Sequence, residues 1–311
     1  MPTDALRKKL GERLLHNEPL ARYTAARLGG PADWLFVARD SVDELAAVVA
    51  DAWANNIPVW VIGSGANVLI ADKGVRGLVV INRVSEIEFG DWHAGRIASA
   101  TAGAGLMALA QKCQSHGWSG LEWAVGIPGT VGGAIVNNAG AFGGEMANCV
   151  ADVVILEQSG PKLYANRDLG YGYRHSVLKT RVNRRFVILL ATFTLSPDDP
   201  EVIQTRMLEF TERRKRTQPP GASLGSVFKN PPGDYAGRLI EAVGLKGYRI
   251  GRVVVSPVHA NFLIHDTSGG GAATAADYYA LIRHIREAVY QQSGVELELE
   301  IELLGEWDQL F

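Results

Sequence analysis

Residues 120–145, GLEWAVGIPGTVGGAIVNNAGAFGGE, decide how this 311-residue chain is read. Eight of them are glycine, and the only charges are Glu122 and Glu145. A flexible linker would be rich in Ser, Lys and Glu. Here Ile127, Val131, Ile135 and Val136 place apolar anchors between the glycines instead. Glycine reaches positive φ cheaply and lets a ligand approach the main chain. Successive free N–H groups then form a concave anion site of the kind that holds a pyrophosphate. The stretch therefore reads either as a folded backbone cradle for phosphate or as a tight, glycine-packed core turn. Glycine content alone does not choose between them.

N-terminal to this stretch lies a second glycine turn. Residues 59–62 (VWVI) read as a strand, Gly63-Ser64-Gly65-Ala66-Asn67 as a turn, and VLIA from Val68 as another strand. A dinucleotide fingerprint needs a helix after its turn and a third glycine where this chain has Val68, so that fold is rejected here while a phosphate-gripping turn is kept. GAGLMA (103–108) opens a helix with Leu106, Leu109 and Cys113 on one face, and Glu122 follows at a suitable distance for a ribose-binding acid. No regular βαβ alternation follows, which argues against the Rossmann reading. Ser41 and Glu44 form a capping-box pattern before Leu45, Val48, Val49 and Ala52. A charged helix is expected over 4–15 and strands over 34–37, 77–81, 97–102, 150–156 and 186–195.

The C-terminal part begins at Ser196-Pro-Asp-Asp-Pro200, the clearest boundary in the chain. A helix from 201 to about 213 ends in Arg213-Arg214-Lys215-Arg216, which is either a solvated helix end or an anion clamp. LGSVFKNP (224–231) reads as a short strand into a turn, and Ser226 lacks the nucleophile-elbow pattern. A helix is expected over 236–243, strands over 253–264 around Pro257, a glycine loop at 269–271, and a helix capped by Thr274 and Asp277 that stops at Gly294. Residues 295–303 alternate strictly, with Glu296, Glu298, Glu300 and Glu302 on one face of an expected strand. Four aligned glutamates ordinarily mean a solvated sheet face.

Composition bounds the rest. A chain of 311 residues suggests two or three domains, and 47% apolar with 21% charged residues fits a soluble globular protein. A net charge of −2 implies no basic face for nucleic acid. Cys113 and Cys149 show no metal-ligand spacing, and with His259 and His265 six apart no metal site is expected. The first residues lack an apolar signal core and nowhere do about 20 apolar residues run together. The expectation is a cytoplasmic protein without membrane insertion, and a monomer.

Taken in order, NEPLARYTAARLGGPAD, IGSGANVLI, the stretch 120–145, GYRHS, TERRKRTQP, LGSVFKNP, LIEAVGLKGYRIG, VHANFLI and LELEIELLGE resemble the UDP-N-acetylenolpyruvoylglucosamine reductase (MurB) family from about residue 17 to 305. The first half is also similar to the wider FAD-binding family related to vanillyl-alcohol oxidase; GYRHS, GSVFKNP and the final glutamate strand narrow the match. The resemblance implies an α+β fold: a two-lobed FAD-binding domain (1–85 and 86–196) and a C-terminal α+β substrate-binding domain (197–311).

It implies FAD as cofactor, held by Gly63, Ser64, Gly65, Ala66, Asn67 and Val68, by Gly126, Ile127, Pro128, Gly129, Thr130, Gly132, Gly133, Ala134, Asn138 and Gly140, and by Arg214. NADPH would be the reductant, and a UDP-sugar carrying an enolpyruvyl group the substrate, reduced by hydride from the flavin to UDP-N-acetylmuramate. Hydride addition pushes charge into the adjacent carboxylate, so fixed donors there are the largest expected catalytic contribution. Arg174 would bind that carboxylate, Glu300 would help to stabilise the charge, Ser226 would donate the proton, and Asn230 would contact substrate. The chain departs from the family at Ala66, where a hydroxyl is lost, and at His265 and His175; the extra substrate-covering loop of longer members is missing. The alternatives are another FAD oxidoreductase on the same cofactor domain, or a catalytically silent flavin-binding module.

Overall fold

The computed structural model describes residues 4–92, 95–181, 185–268 and 273–308. Its helices are α1 Asp4–Leu10, α2 Val42–Ala54, α3 Leu106–Ser115, α4 Val131–Asn137, α5 Pro200–Thr217, α6 Ala236–Ala242 and α7 Ala275–Ser293. The chain divides into two compact units that interleave in sequence. The first comprises Met1–Leu15, Leu35–Gly63 and Gly77–Arg214; the second comprises His16–Trp34, Ser64–Arg76 and Lys215–Phe311.

The first unit is built on an antiparallel sheet in the order Gly160–Ala165, Val150–Glu157, Phe186–Pro197, Gly95–Thr101, Ile87–Trp92. Its buried face packs Val153, Ile155, Ala191 and Phe193 against Leu106, Leu109 and Cys113 of α3 and Val131 and Ile135 of α4. Beside it, Val59–Ile62 pairs in parallel with residues 78–81. Ser41 caps α2, its Oγ accepting from the Glu44 amide at 3.1 Å, and Leu45, Val48, Val49 and Ala52 are buried as their spacing requires.

The second unit packs α6 and α7 on a three-stranded antiparallel sheet, Arg249–Ile250, Val253–Val255 and Leu263–His265. Tyr278, Leu281, Ile282, Ile285 and Val289 of α7 form its core with Val227, Phe228 and Leu297. The capping box at Thr274 and Asp277 is formed, and Gly294 closes α7 at φ +70.

Several elements differ from the sequence expectation. The N-terminal helix stops at Leu10, because Gly11 takes φ +54 and residues 14–19 become a strand. A helix, α4, sits inside the glycine stretch, and a further strand, Gly160–Ala165, lies between the strands expected at 150–156 and 186–195. Helix α5 continues through the basic cluster to Thr217. Segment 224–231 is not a strand; it makes isolated bridges, Ser226 with Phe262 and Phe228 with Leu299. Of the alternating stretch 295–303, only Glu302–Leu304 pairs as a strand, in parallel with Val68–Ile70. Alternation reports which side chains an extended chain buries, here Leu297 and Ile301, and not whether its backbone has a ladder partner. The glycine run 269–271 lies outside the described residues.

Candidate active site

In the first unit the glycine stretch is held at its head by a buried carboxylate. Glu122 accepts from Ser119 Oγ at 2.6 Å, from the Gly120 amide at 2.8 Å and from Arg206 Nη1 at 3.0 Å. Burial alone would raise its carboxyl, but the hydrogen bonds from Ser119, the main chain and Arg206 together hold it below the ordinary value of 4.5. A carboxylate lowered in the folded state stabilises above its unfolded pKa and loses that contribution as pH falls through the folded one. Glu122→Gln is therefore expected to lower the melting temperature at pH 7, with the gap to wild type closing below about pH 4.5; a gap constant down to about pH 3 would contradict this. Glu122 is thus a structural anchor rather than a ribose ligand.

Helix α5 grips the same segment further along. Arg214 donates from Nε to Val125 O at 2.9 Å, and a Cβ on Gly126 (φ +72) would lie 2.8 Å from Arg214 Cδ. Its guanidinium is 4.9 Å from the centre of the Phe142 ring, which stacks at 4.6 Å on Phe210. Burial brings this guanidinium down to about 10, still cationic at neutral pH.

Next along the stretch comes an open turn. The space where a Cβ on Gly129 (φ +150) would point holds no atom within 4 Å. Among the described residues the amides of Gly129 and Thr130 donate to no protein acceptor. Thr130 caps α4, and its Oγ1 lies 2.2 Å from where a Gly63 Cβ would stand, so the end of the Val59–Ile62 strand and the α4 turn touch through a glycine. Ile127 is half-buried, Pro128 and Gly133 are exposed, Gly132 packs on Ala102, and Ala134 is buried. Past α4, Asn138 is fully buried and left-handed (φ +43), and Gly140 O accepts from Arg174 Nη2 at 2.6 Å. Arg174 itself sits at φ +53.

In the second unit the turn Ser64–Asn67 closes on Tyr23 and Thr24: a Cβ on Gly65 (φ +64) would be 2.2 Å from Tyr23 O. Ser64, Ala66 and Val68 are half-buried. Asn67 Nδ2 donates to Glu300 O at 3.3 Å and the Glu302 amide donates to Asn67 O at 2.9 Å. The Glu300 amide donates to Val227 O at 2.8 Å. The structure thus brings the glycine turn, Glu300 and Ser226 together in one unit. Ser226 follows Gly225, which takes φ +75. Asn230 Oδ1 accepts from the Ala236 amide at 3.1 Å at the start of α6. His265 packs its Nδ1 against Ala26 O at 2.9 Å.

A residue that sequence reasoning passed over holds Ser226 in place. Asn261, 3% exposed, accepts from the Phe228 amide at 2.9 Å and donates to Phe228 O at 2.8 Å, while its own carbonyl accepts from the Val227 amide. Its one sequence signal is a polar amide inside the apolar run VHANFLI, since a buried amide must find partners. No group of three metal-ligating side chains occurs among the described residues, and no helix there is long and apolar enough to cross a membrane.

A family model for an FAD binding domain matches residues 35–160, and one for the C-terminal domain of UDP-N-acetylenolpyruvoylglucosamine reductase matches residues 217–304. The UDP-N-acetylenolpyruvoylglucosamine reductase of Moorella thermoacetica is 45% identical over 94% of this chain and 94% of its own. That of Rubrobacter xylanophilus is 44% identical over 93% and 95%. The crystal structure of the MurB reductase from Thermus caldophilus superposes with a TM-score of 0.78 at 34% identity, covering 94% of this chain and 99% of that one.

Proposed function

Because this chain belongs to the UDP-N-acetylenolpyruvoylglucosamine reductase family, we propose that the residues described above hold FAD and the enolpyruvyl substrate in the roles their motifs imply. The chain is an FAD-dependent oxidoreductase that uses NADPH to reduce the enolpyruvyl group of UDP-N-acetylglucosamine enolpyruvate, giving UDP-N-acetylmuramate for peptidoglycan synthesis. The observation that carries this is identity of 45% across 94% of both chains.

The residues present fit a dinucleotide diphosphate. The open face of Gly129, with its amide and that of Thr130 undirected to protein acceptors, suits an anion. Gly63, Ser64, Gly65, Ala66, Asn67 and Val68, with Gly126 through Ala134, would line the cofactor site, Asn138 and Gly140 contributing main chain and Arg214 a cation. Bound there, FAD would supply hydride-transfer chemistry between NADPH and the terminal carbon of the enolpyruvyl group. Arg174 offers a planar fork that suits the substrate carboxylate and the charge growing there. Glu300 stabilises that same charge by hydrogen bonding. Ser226 gives its proton to the carbon next to the carboxylate; a weak acid serves because the enolic species is strongly basic. Asn230 contacts the substrate.

The cofactor lobes we propose are 1–85 and 86–196, with 197–311 as the substrate-binding domain. A monomer in the cytoplasm completes the proposal, in keeping with two buried free thiols, Cys113 and Cys149, that burial pushes up to about 12. The test is to mix the purified, yellow protein with NADPH and UDP-N-acetylglucosamine enolpyruvate. NADPH oxidation that depends on the UDP-sugar is expected; a colourless protein, or oxidation indifferent to the sugar, would overturn the reading.

A further inference from the structure

Beyond the C-terminal end of α4 the chain meets one short hairpin. Gly172 and His175 each donate an amide hydrogen to the other's carbonyl at 3.1 Å, leaving Tyr173 and Arg174 as a two-residue turn. Arg174 occupies left-handed backbone there (φ +53), a conformation that a side chain other than glycine adopts only where its surroundings hold it.

Four side-chain contacts supply that hold. Ser176 Oγ donates to Val136 O at 2.6 Å, Lys179 Nζ donates to Asn137 Oδ1 at 2.8 Å, and Arg174 Nη2 donates to Gly140 O at 2.6 Å. The fourth is Asn138 Nδ2, which donates at 2.9 Å to Gly172 O, the same carbonyl that closes the hairpin. At its other end Asn138 Oδ1 accepts from the Ala147 amide at 2.9 Å. Asn138 is fully buried, and both ends of its amide are used. A primary amide donates on one side and accepts on the other at any pH, whereas an ionised carboxylate of the same shape can only accept.

We propose that Asn138 is a positioning residue for Arg174: its side chain fixes the hairpin at residues 172–175 and thereby sets how tightly the arginine engages the substrate carboxylate. The inference rests on the reading of Arg174 as carboxylate ligand given above. It assigns the Asn138 side chain to the substrate half of the reaction, although the residue lies in the glycine stretch that serves the cofactor.

Asn138→Asp keeps the acceptor for Ala147 and, in its ionised form, has no donor for Gly172. With the holoenzyme, three quantities are read: FAD content, the rate at which NADPH bleaches the flavin, and kcat and KM for UDP-N-acetylglucosamine enolpyruvate. For Asn138→Asp, kcat/KM for the UDP-sugar is expected to fall about tenfold, mainly through KM, the scale of one lost buried hydrogen bond. Adding Asn138→Asp to Arg174→Ala is expected to cost less than about twofold more, because both act through one group. Ser176→Ala, a milder break in the same seam and outside the residues that hold the cofactor, is expected to give a smaller loss of the same kind with FAD content and bleaching within about twofold of wild type. Wild-type kcat/KM in Asn138→Asp and Ser176→Ala beside a crippled Arg174→Ala would overturn this inference alone, as would full additivity with Arg174→Ala or lost FAD in Ser176→Ala. An unimpaired Arg174→Ala would overturn both the inference and the role of Arg174.

Discussion

Ser226→Ala is expected to leave flavin reduction by NADPH at its normal rate and to slow reoxidation by the enolpyruvyl substrate by about 10²–10⁴-fold, the usual reach of one general acid. The position explains why the effect should be so confined. Gly225 at φ +75 turns the chain at Ser226, and the next two residues are locked through Asn261 and the Glu300 amide. Removing one hydroxyl from a backbone fixed by its neighbours disturbs neither fold nor cofactor, so stability should change by no more than about 0.5 kcal/mol. Rapid-mixing measurements of each half-reaction separate the outcomes. Equal survival of both would remove Ser226 from the chemistry; equal loss of both would make it a cofactor residue.

Arg174→Gly is expected to lower kcat/KM for the UDP-sugar by about 10²–10³-fold, as for removal of one preorganised donor to developing charge. Stability, by contrast, should scarcely move. Arginine at φ +53 carries a left-handed cost of about 1–2 kcal/mol that glycine does not. Against that relief stand the hydrogen bond to Gly140 O, about 0.5–1.5 kcal/mol, and the greater freedom of glycine in the unfolded chain, about 0.5–1 kcal/mol. The net change should lie within about 1 kcal/mol by denaturant titration. Arg174→Lys should not rescue activity, because a point charge cannot fork onto a carboxylate. Activity lost in proportion to stability would show that the residue is merely structural.

Elements with local signatures were legible in the sequence. The caps at Ser41 and at Thr274 with Asp277, the stop at Gly294 and the strand–turn–strand around 63–67 need only neighbours in sequence to form. Helix α4 was hidden because VGGAIVN is a poor helix former, each interior glycine costing about 1 kcal/mol. The cap at Thr130 and the burial of Val131, Ala134 and Ile135 override that cost. The 295–303 stretch misled in the opposite direction, showing a strand's side-chain pattern with a ladder only at its end. Within the site, the family resemblance marked Arg174, Ser226 and Glu300, which residue type and spacing alone did not, and nothing local marks what holds them. Asn138 reaches Gly172 and Asn261 reaches Phe228 across more than thirty residues of chain, and long-range side-chain to main-chain bonds leave no periodic trace.

The most direct test of the central claim is a single turnover without oxygen: the yellow enzyme is bleached with one equivalent of NADPH, then given UDP-N-acetylglucosamine enolpyruvate while the flavin absorbance is followed. Full return of the oxidised spectrum, with one equivalent of UDP-N-acetylmuramate formed, is the expected result. A flavin that stays bleached in the presence of that sugar would contradict it.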